Sequence, residues 1–124
     1  MIHVDTSALI AALTGARTAA FVLRGFISDG LRVGICTPVL YEWHRGPRSP
    51  QELASRQTLF PDHAVFPFGL DEAVLAADLY RQMARPRRRE IDIAIAACAL
   101  TNSAALWTLN PKDFADIPGL TLAT

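Results

Sequence analysis

Short β-branched runs alternate along this chain with longer segments whose apolar residues recur at helical spacing. Ile2-His3-Val4 is a strand-like run ending at Asp5, and Ser7–Leu13 predicts a first helix stopped by Gly15. Thr18–Ile27, with Phe21, Val22, Phe26 and Ile27 on one side, predicts a second helix ended by Asp29-Gly30. Arg32–Cys36 reads as a strand. Thr37-Pro38 then supplies a cap and a proline at the first helical position, so Glu42 falls early in a third helix, which Gly46-Pro47 breaks. Ser49-Pro50-Gln51-Glu52 is a strong helix start, with a cap, a proline and an acid three residues on.

Ala64–Phe68 predicts a short strand, near an edge because Pro67 interrupts it. Asp71–Met83 is an amphipathic helix with Val74, Ala77, Leu79 and Tyr80 on its apolar side. Ile91–Leu100 alternates superficially like a strand, but its alanines argue for a helix that is apolar nearly all round and therefore buried. Ala104–Leu109 is a strand, Asn110-Pro111 a turn, Asp113-Phe114 the start of a helical turn, and Leu120–Leu122 a last small strand. Strands alternating with helices imply an α/β fold with a mostly parallel central sheet covered on both faces.

A chain of 124 residues, 51% apolar and 19% charged, is a single domain (1–124) with enough surface to bury a core of its own. It has no internal repeat or low-complexity tract. Cys36 and Cys98 lie in apolar runs without C-x-x-C spacing, which predicts buried free thiols in a reducing compartment. No apolar run approaches a membrane span, and the opening Met-Ile-His-Val-Asp carries an acid where a secretory signal has positive charge. The expectation is a cytoplasmic protein with no membrane partner.

Four acids stand where such a fold gathers its chemistry. Asp5 follows the first strand, Glu42 stands near the start of the helix after the second, Asp92 stands at the start of the buried helix, and Asp113 follows the strand at Ala104–Leu109. The carboxyl ends of parallel strands and the adjoining helix starts share one edge, and ligands bind where strand order reverses. Each acid also has a plain structural explanation: an Asx cap for Asp5, helix capping for Asp92, a turn cap for Asp113, and an ordinary surface position for Glu42. Taken one at a time, these leave the convergence unexplained. Carboxylates packed together repel unless a cation stands among them, and an all-oxygen set suits Mg²⁺ or Mn²⁺. His3, His44 and His63 are scattered, so they read as surface or core-edge residues and not as zinc ligands.

There is no G-x-x-x-x-G-K-[ST] loop, no G-x-G-x-x-G and no G-x-S-x-G elbow. What remains is metal-assisted phosphodiester hydrolysis, with the four acids as ligands or water-orienting groups. Ser7, Thr108 and Asn110 have short polar groups suited to fixing a carboxylate or bound water, although Ser7 also fits a helix start and Asn110 a turn. Zero formal net charge does not exclude a nucleic acid partner, because eleven of the twelve cations are arginine, the side chain suited to phosphate. Arg85, Arg87, Arg88 and Arg89 form a basic loop just before Asp92, a candidate for RNA backbone contact or simply a solvated loop. Arg45 and Arg48 extend that surface beside Glu42, whereas Phe26, Tyr41 and Trp43 read as core or dimer residues.

The ordered set of motifs resembles the PIN-domain family. Val4-Asp5-Thr6-Ser7 is similar to its opening, Glu42 to its acid after the second strand, and Asp92-Ile93-Ala94-Ile95-Ala96-Ala97 to its D-x-x-I-A-A helix. Thr108-Leu109-Asn110-Pro111-Lys112-Asp113-Phe114, followed by Ile117-Pro118-Gly119-Leu120, resembles its T-x-N-x-x-D-F…I-P-G-L ending. Among PIN domains, a chain of this length looks most like VapC-type toxins. That resemblance implies a three-layer α/β/α sandwich and an Mg²⁺- or Mn²⁺-dependent endoribonuclease acting on structured RNA such as tRNA or rRNA. It also implies a homodimer and a small VapB-like antitoxin that blocks the acidic cleft. The segment from Glu42 to Ala64 is short for the family, which leaves the dimer surface and antitoxin groove open. A DNA-directed or RNA-processing nuclease outside such systems, and a PIN-like module without catalysis, are the alternatives.

Overall fold

The computed structural model describes residues 1–123. Its elements are β1 (Ile2–Val4), α1 (Thr6–Leu13), α2 (Arg17–Ser28), β2 (Val33–Gly34), α3 (Thr37–Arg45), α4 (Pro50–Leu59), α5 (Leu70–Gln82), α6 (Glu90–Thr101) and β3 (Ala105–Trp107), with 3-10 turns at Asp62–Ala64 and Pro111–Asp113. The three strands form a parallel sheet in the order β2-β1-β3. β1 is central, with Ile2 opposite Val33 on one side and Ala105 on the other. Single parallel bridges, Cys36 to Phe66 and Leu106 to Leu122, extend the sheet at its two edges.

The strand expected at Ala64–Phe68 is therefore a correction: a 3-10 turn leads into one bridging residue, Phe66. Pro67 has no amide hydrogen to continue a ladder, which limits pairing there. The expected strand at Leu120–Leu122 shrinks in the same way to one bridge at Leu122. Thr37 is not a cap either. Cys36 occupies that position, and the Thr37 hydroxyl instead accepts the Phe68 amide at 2.9 Å, tying the edge bridge to the start of α3.

The helix starts and stops have local causes. Ser49 and Glu52 form the reciprocal capping box that opens α4. Gly15, at φ +113°, makes the left-handed turn that lets α2 reverse away from α1. Gly34 meets a different demand: a Cβ there would lie 2.7 Å from the Phe66 ring. That ring in turn packs on His3, 4.9 Å between centroids.

α6 is the core helix, with Ile93, Ile95, Ala96, Ala97, Cys98 and Ala99 buried, as its all-round apolar pattern predicts. Its alanines let α3, α5 and β3 approach closely. Trp43, Leu9, Ile35 and Leu106 complete the centre. Cys36 and Cys98 are buried free thiols, and the Cys98 thiol is pushed up by its hydrogen bond to Cys36 and by burial. His3 is not a surface or core-edge residue. It is buried in β1 with neither ring nitrogen partnered among the described residues, and desolvation, then the nearby N-terminal charge, lowers its pKa to about 4. Tyr41, expected in a core or interface, is exposed with the Arg45 guanidinium 5.3 Å above its ring. Among the described residues no single helix is long and apolar enough to cross a membrane.

Candidate active site

The sheet reverses its winding at β1: the chain leaves β1 toward β2 and later crosses back to β3 on the other side. The carboxyl end of β1 is thus the switch point of the fold. Asp5 occupies it, its amide donating to the Trp107 carbonyl at 2.8 Å as the last rung shared with β3. Asp5 is buried and precedes α1, yet its side chain makes no capping bond. Its Oδ2 instead accepts from the Ser7 hydroxyl at 2.9 Å and the Thr108 hydroxyl at 2.7 Å. The backbone backs up both donors: the Leu109 amide donates to Ser7 Oγ at 3.1 Å and the Asn110 amide to Thr108 Oγ1 at 3.0 Å. One carboxylate oxygen is held rigidly while the other is unengaged among the described residues.

Asp5, Glu42 and Asp92 line one cleft of about 480 Å³, together with Thr6, Ser7, Arg45, Arg48 and Asn110. Glu42 reaches it from the second turn of α3, because Val39 and Trp43 on either side of it are buried. Its Oε1 accepts from the Thr6 hydroxyl at 2.5 Å and its Oε2 from Arg45 at 3.1 Å. Thr6 is not among the polar residues that sequence spacing singles out. Its place in the first turn of α1, next to Asp5, is the signal that would have found it.

Asp92 stands in the first turn of α6. Burial, followed by the charges of Asp5, Asp113 and Glu42, raises its pKa to about 6, and Arg89 opposes them. Asp92 therefore feels the charge of the three other acids, and the helix dipole favours its charged form only weakly against them. Asp113 is the outlier: it is exposed in the turn after β3 and does not line the cleft wall. Among the described residues no three His, Cys, Asp or Glu side chains already stand close enough to grip an ion. The donor set still suits one, since it is all carboxylate oxygen, mutually repelling, and held by hydroxyls from behind.

The basic loop divides. Arg85, Arg87 and Arg88 are exposed, and Arg85 and Arg87 border a separate cavity beside Tyr80. Arg89 is committed elsewhere: it makes a two-pronged pair with Asp116, at 2.6 and 2.8 Å, and donates to the Asp113 carbonyl at 2.7 Å. This is a correction to its expected role as an RNA contact, because those bonds use the donors that a phosphate would need. The clamp fixes the turn bearing Asp113 against the start of α6.

The sequence pattern of the PIN domain matches residues 2–120. Among solved structures, VapBC2 from Rickettsia felis bound to a promoter DNA fragment is similar at 20% identity and a TM-score of 0.77, covering 99% of this chain and 98% of that one. A toxin–antitoxin complex from Klebsiella pneumoniae is similar at 25% identity and a TM-score of 0.70, covering 98% and 96%. FitAcB from Neisseria gonorrhoeae is similar at 18% identity and a TM-score of 0.72, covering 99% and 97%. No curated protein matches the chain by sequence. A parallel sheet with acids at its switch point and a family pattern running from β1 to Leu120 lead to one conclusion: the chain belongs to the PIN-domain family.

Proposed function

We propose that this protein is a metal-dependent endoribonuclease and the toxin of a toxin–antitoxin pair. The observation that carries the reading is the gathering of Asp5, Glu42 and Asp92 in one cleft, with Asp92 raised to about 6 by burial and by its acidic neighbours. Asp5, Glu42 and Asp92 would hold Mg²⁺ or Mn²⁺, with Asp113 joining from the rim. A bound ion of this kind lowers the pKa of a water and neutralises charge on a phosphoryl group. The chain's own contribution is orientation. Ser7 and Thr108 lock Asp5, Thr6 steadies Glu42, and Arg89 keeps the turn bearing Asp113 in place.

The toxin assignment rests on the family and on the two-protein complexes that its structural relatives form. It carries with it a small VapB-like antitoxin, a homodimer and a cytoplasmic setting. Arg85, Arg87 and Arg88 would meet the RNA backbone outside the cleft, contributing affinity without sequence choice. The test is Asp5→Asn, which retains acceptors for Ser7 and Thr108. Purified protein with Mn²⁺ should cleave total RNA, and the variant should lose that cleavage while remaining folded by circular dichroism. Undiminished cleavage by the variant would overturn the assignment.

A further inference from the structure

Two arginines share the cleft with the acids. Arg45, in the last turn of α3, pairs through Nη2 with Glu42 Oε2 at 3.1 Å, its side chain 56% exposed against 18% for Glu42. Arg48 lies over the Trp43 ring, 4.4 Å from its centroid, and donates from Nη1 to the Pro47 carbonyl at 2.6 Å. With Thr6 on one Glu42 oxygen and Arg45 on the other, each oxygen of that carboxylate already accepts one hydrogen bond.

An ion pair this exposed is weak, and a divalent ion among carboxylates outcompetes a single guanidinium. We infer that Arg45 is a substrate-positioning residue that acts by exchange. It neutralises Glu42 while the cleft lacks an ion, and it turns to a backbone phosphate of the RNA when a divalent ion draws Glu42 away. Arg48, fixed on Trp43, is the rigid half of the same phosphate contact. The guanidinium fork suits phosphate geometry, and the exposure of Arg45 leaves it room to swing. Arg85 and Arg87 cannot substitute, since they border a different cavity.

The inference rests on the ribonuclease reading, and the experiment separates the two. Arg45→Gln, Arg45→Lys and Arg32→Gln are compared with the wild type, Arg32 being exposed at the opposite, amino end of the sheet. Calorimetry with Mn²⁺ alone should show Arg45→Gln binding the ion about threefold more tightly, because its internal competitor is gone. In RNA cleavage the same variant should raise KM about tenfold with kcat within about twofold, and lower the log–log salt slope of RNA binding by about 0.7. Arg45→Lys should recover the salt slope, and Arg32→Gln should change neither KM nor slope. Weaker or unchanged Mn²⁺ binding by Arg45→Gln, or an unaltered KM, overturns the inference alone. A wild-type protein that cleaves no RNA overturns the ribonuclease reading and the inference with it.

Discussion

Asp92→Asn should make the metal-free protein more stable while removing a carboxylate proposed to hold the metal ion. Burial and the charges of Asp5, Asp113 and Glu42 lift the Asp92 carboxyl from 3.8 to about 6. Two pK units correspond to about 3 kcal/mol of disfavoured charge. Asp92 is only half-buried, so solvent screening removes about half of that. The α6 dipole, which favours an anion in the first turn, takes a further ~0.5 kcal/mol, leaving about 1 kcal/mol. The sign follows from proton binding. Between about pH 4 and 6 the folded carboxyl keeps a proton that the unfolded one has lost, so stability falls as pH rises through that window. Above about 6 the whole penalty is present. Urea unfolding from pH 4 to 8 without divalent ions should show the variant about 1 kcal/mol more stable at pH 7.5, with the gap closing toward pH 4. Adding Mn²⁺ should stabilise the wild type more than the variant. A variant less stable by the same amount at every pH would refute the reasoning, for Asp92 would then be a helix cap and not an electrostatic liability.

Two other perturbations test the supports of the cleft. Thr108→Val leaves Asp5 one hydroxyl short and the Asn110 amide without its acceptor. It should cost about 1–2 kcal/mol in unfolding experiments and about tenfold in Mn²⁺ affinity, and unchanged affinity would mean that the hydroxyl does not orient the carboxylate. Arg89→Ala removes the clamp to Asp116 and the Asp113 carbonyl, so it should lose about 1 kcal/mol and raise the Asp92 pKa followed by NMR. Arg85→Ala, in the same loop, should stay within about 0.5 kcal/mol of wild type, and equal losses for the two would remove the distinction between them.

Several elements and the location of the candidate site were legible in the sequence because they depend on near neighbours. The α4 capping box, the break at Gly15 and the buried, alanine-rich α6 each follow from residues within a turn of one another. Sequence spacing also brought Asp5, Glu42 and Asp92 to one edge, since a parallel sheet puts all its carboxyl ends together. Strand length was not legible. Pairing is decided by a partner far along the chain, so Val65 and Leu120, apolar as any strand residue, join no strand, and only Phe66 and Leu122 near them form single bridges.

Which charges are spoken for was hidden for the same reason. The four loop arginines look alike in sequence, but Asp116, twenty-seven residues from Arg89, claims one of them. Glu42 reads as a free carboxylate until Thr6, thirty-six residues earlier, is brought against it. The sequence by itself determined the helices, the buried face of α6 and the edge where acids meet, because periodicity and capping act over a few residues. The tertiary structure alone decided how far each strand pairs, that Asp113 stands at the rim, and which acids and arginines are already partnered. Hydrogen bonds and ion pairs act over about 3 Å of space, and sequence separation says nothing of who stands there.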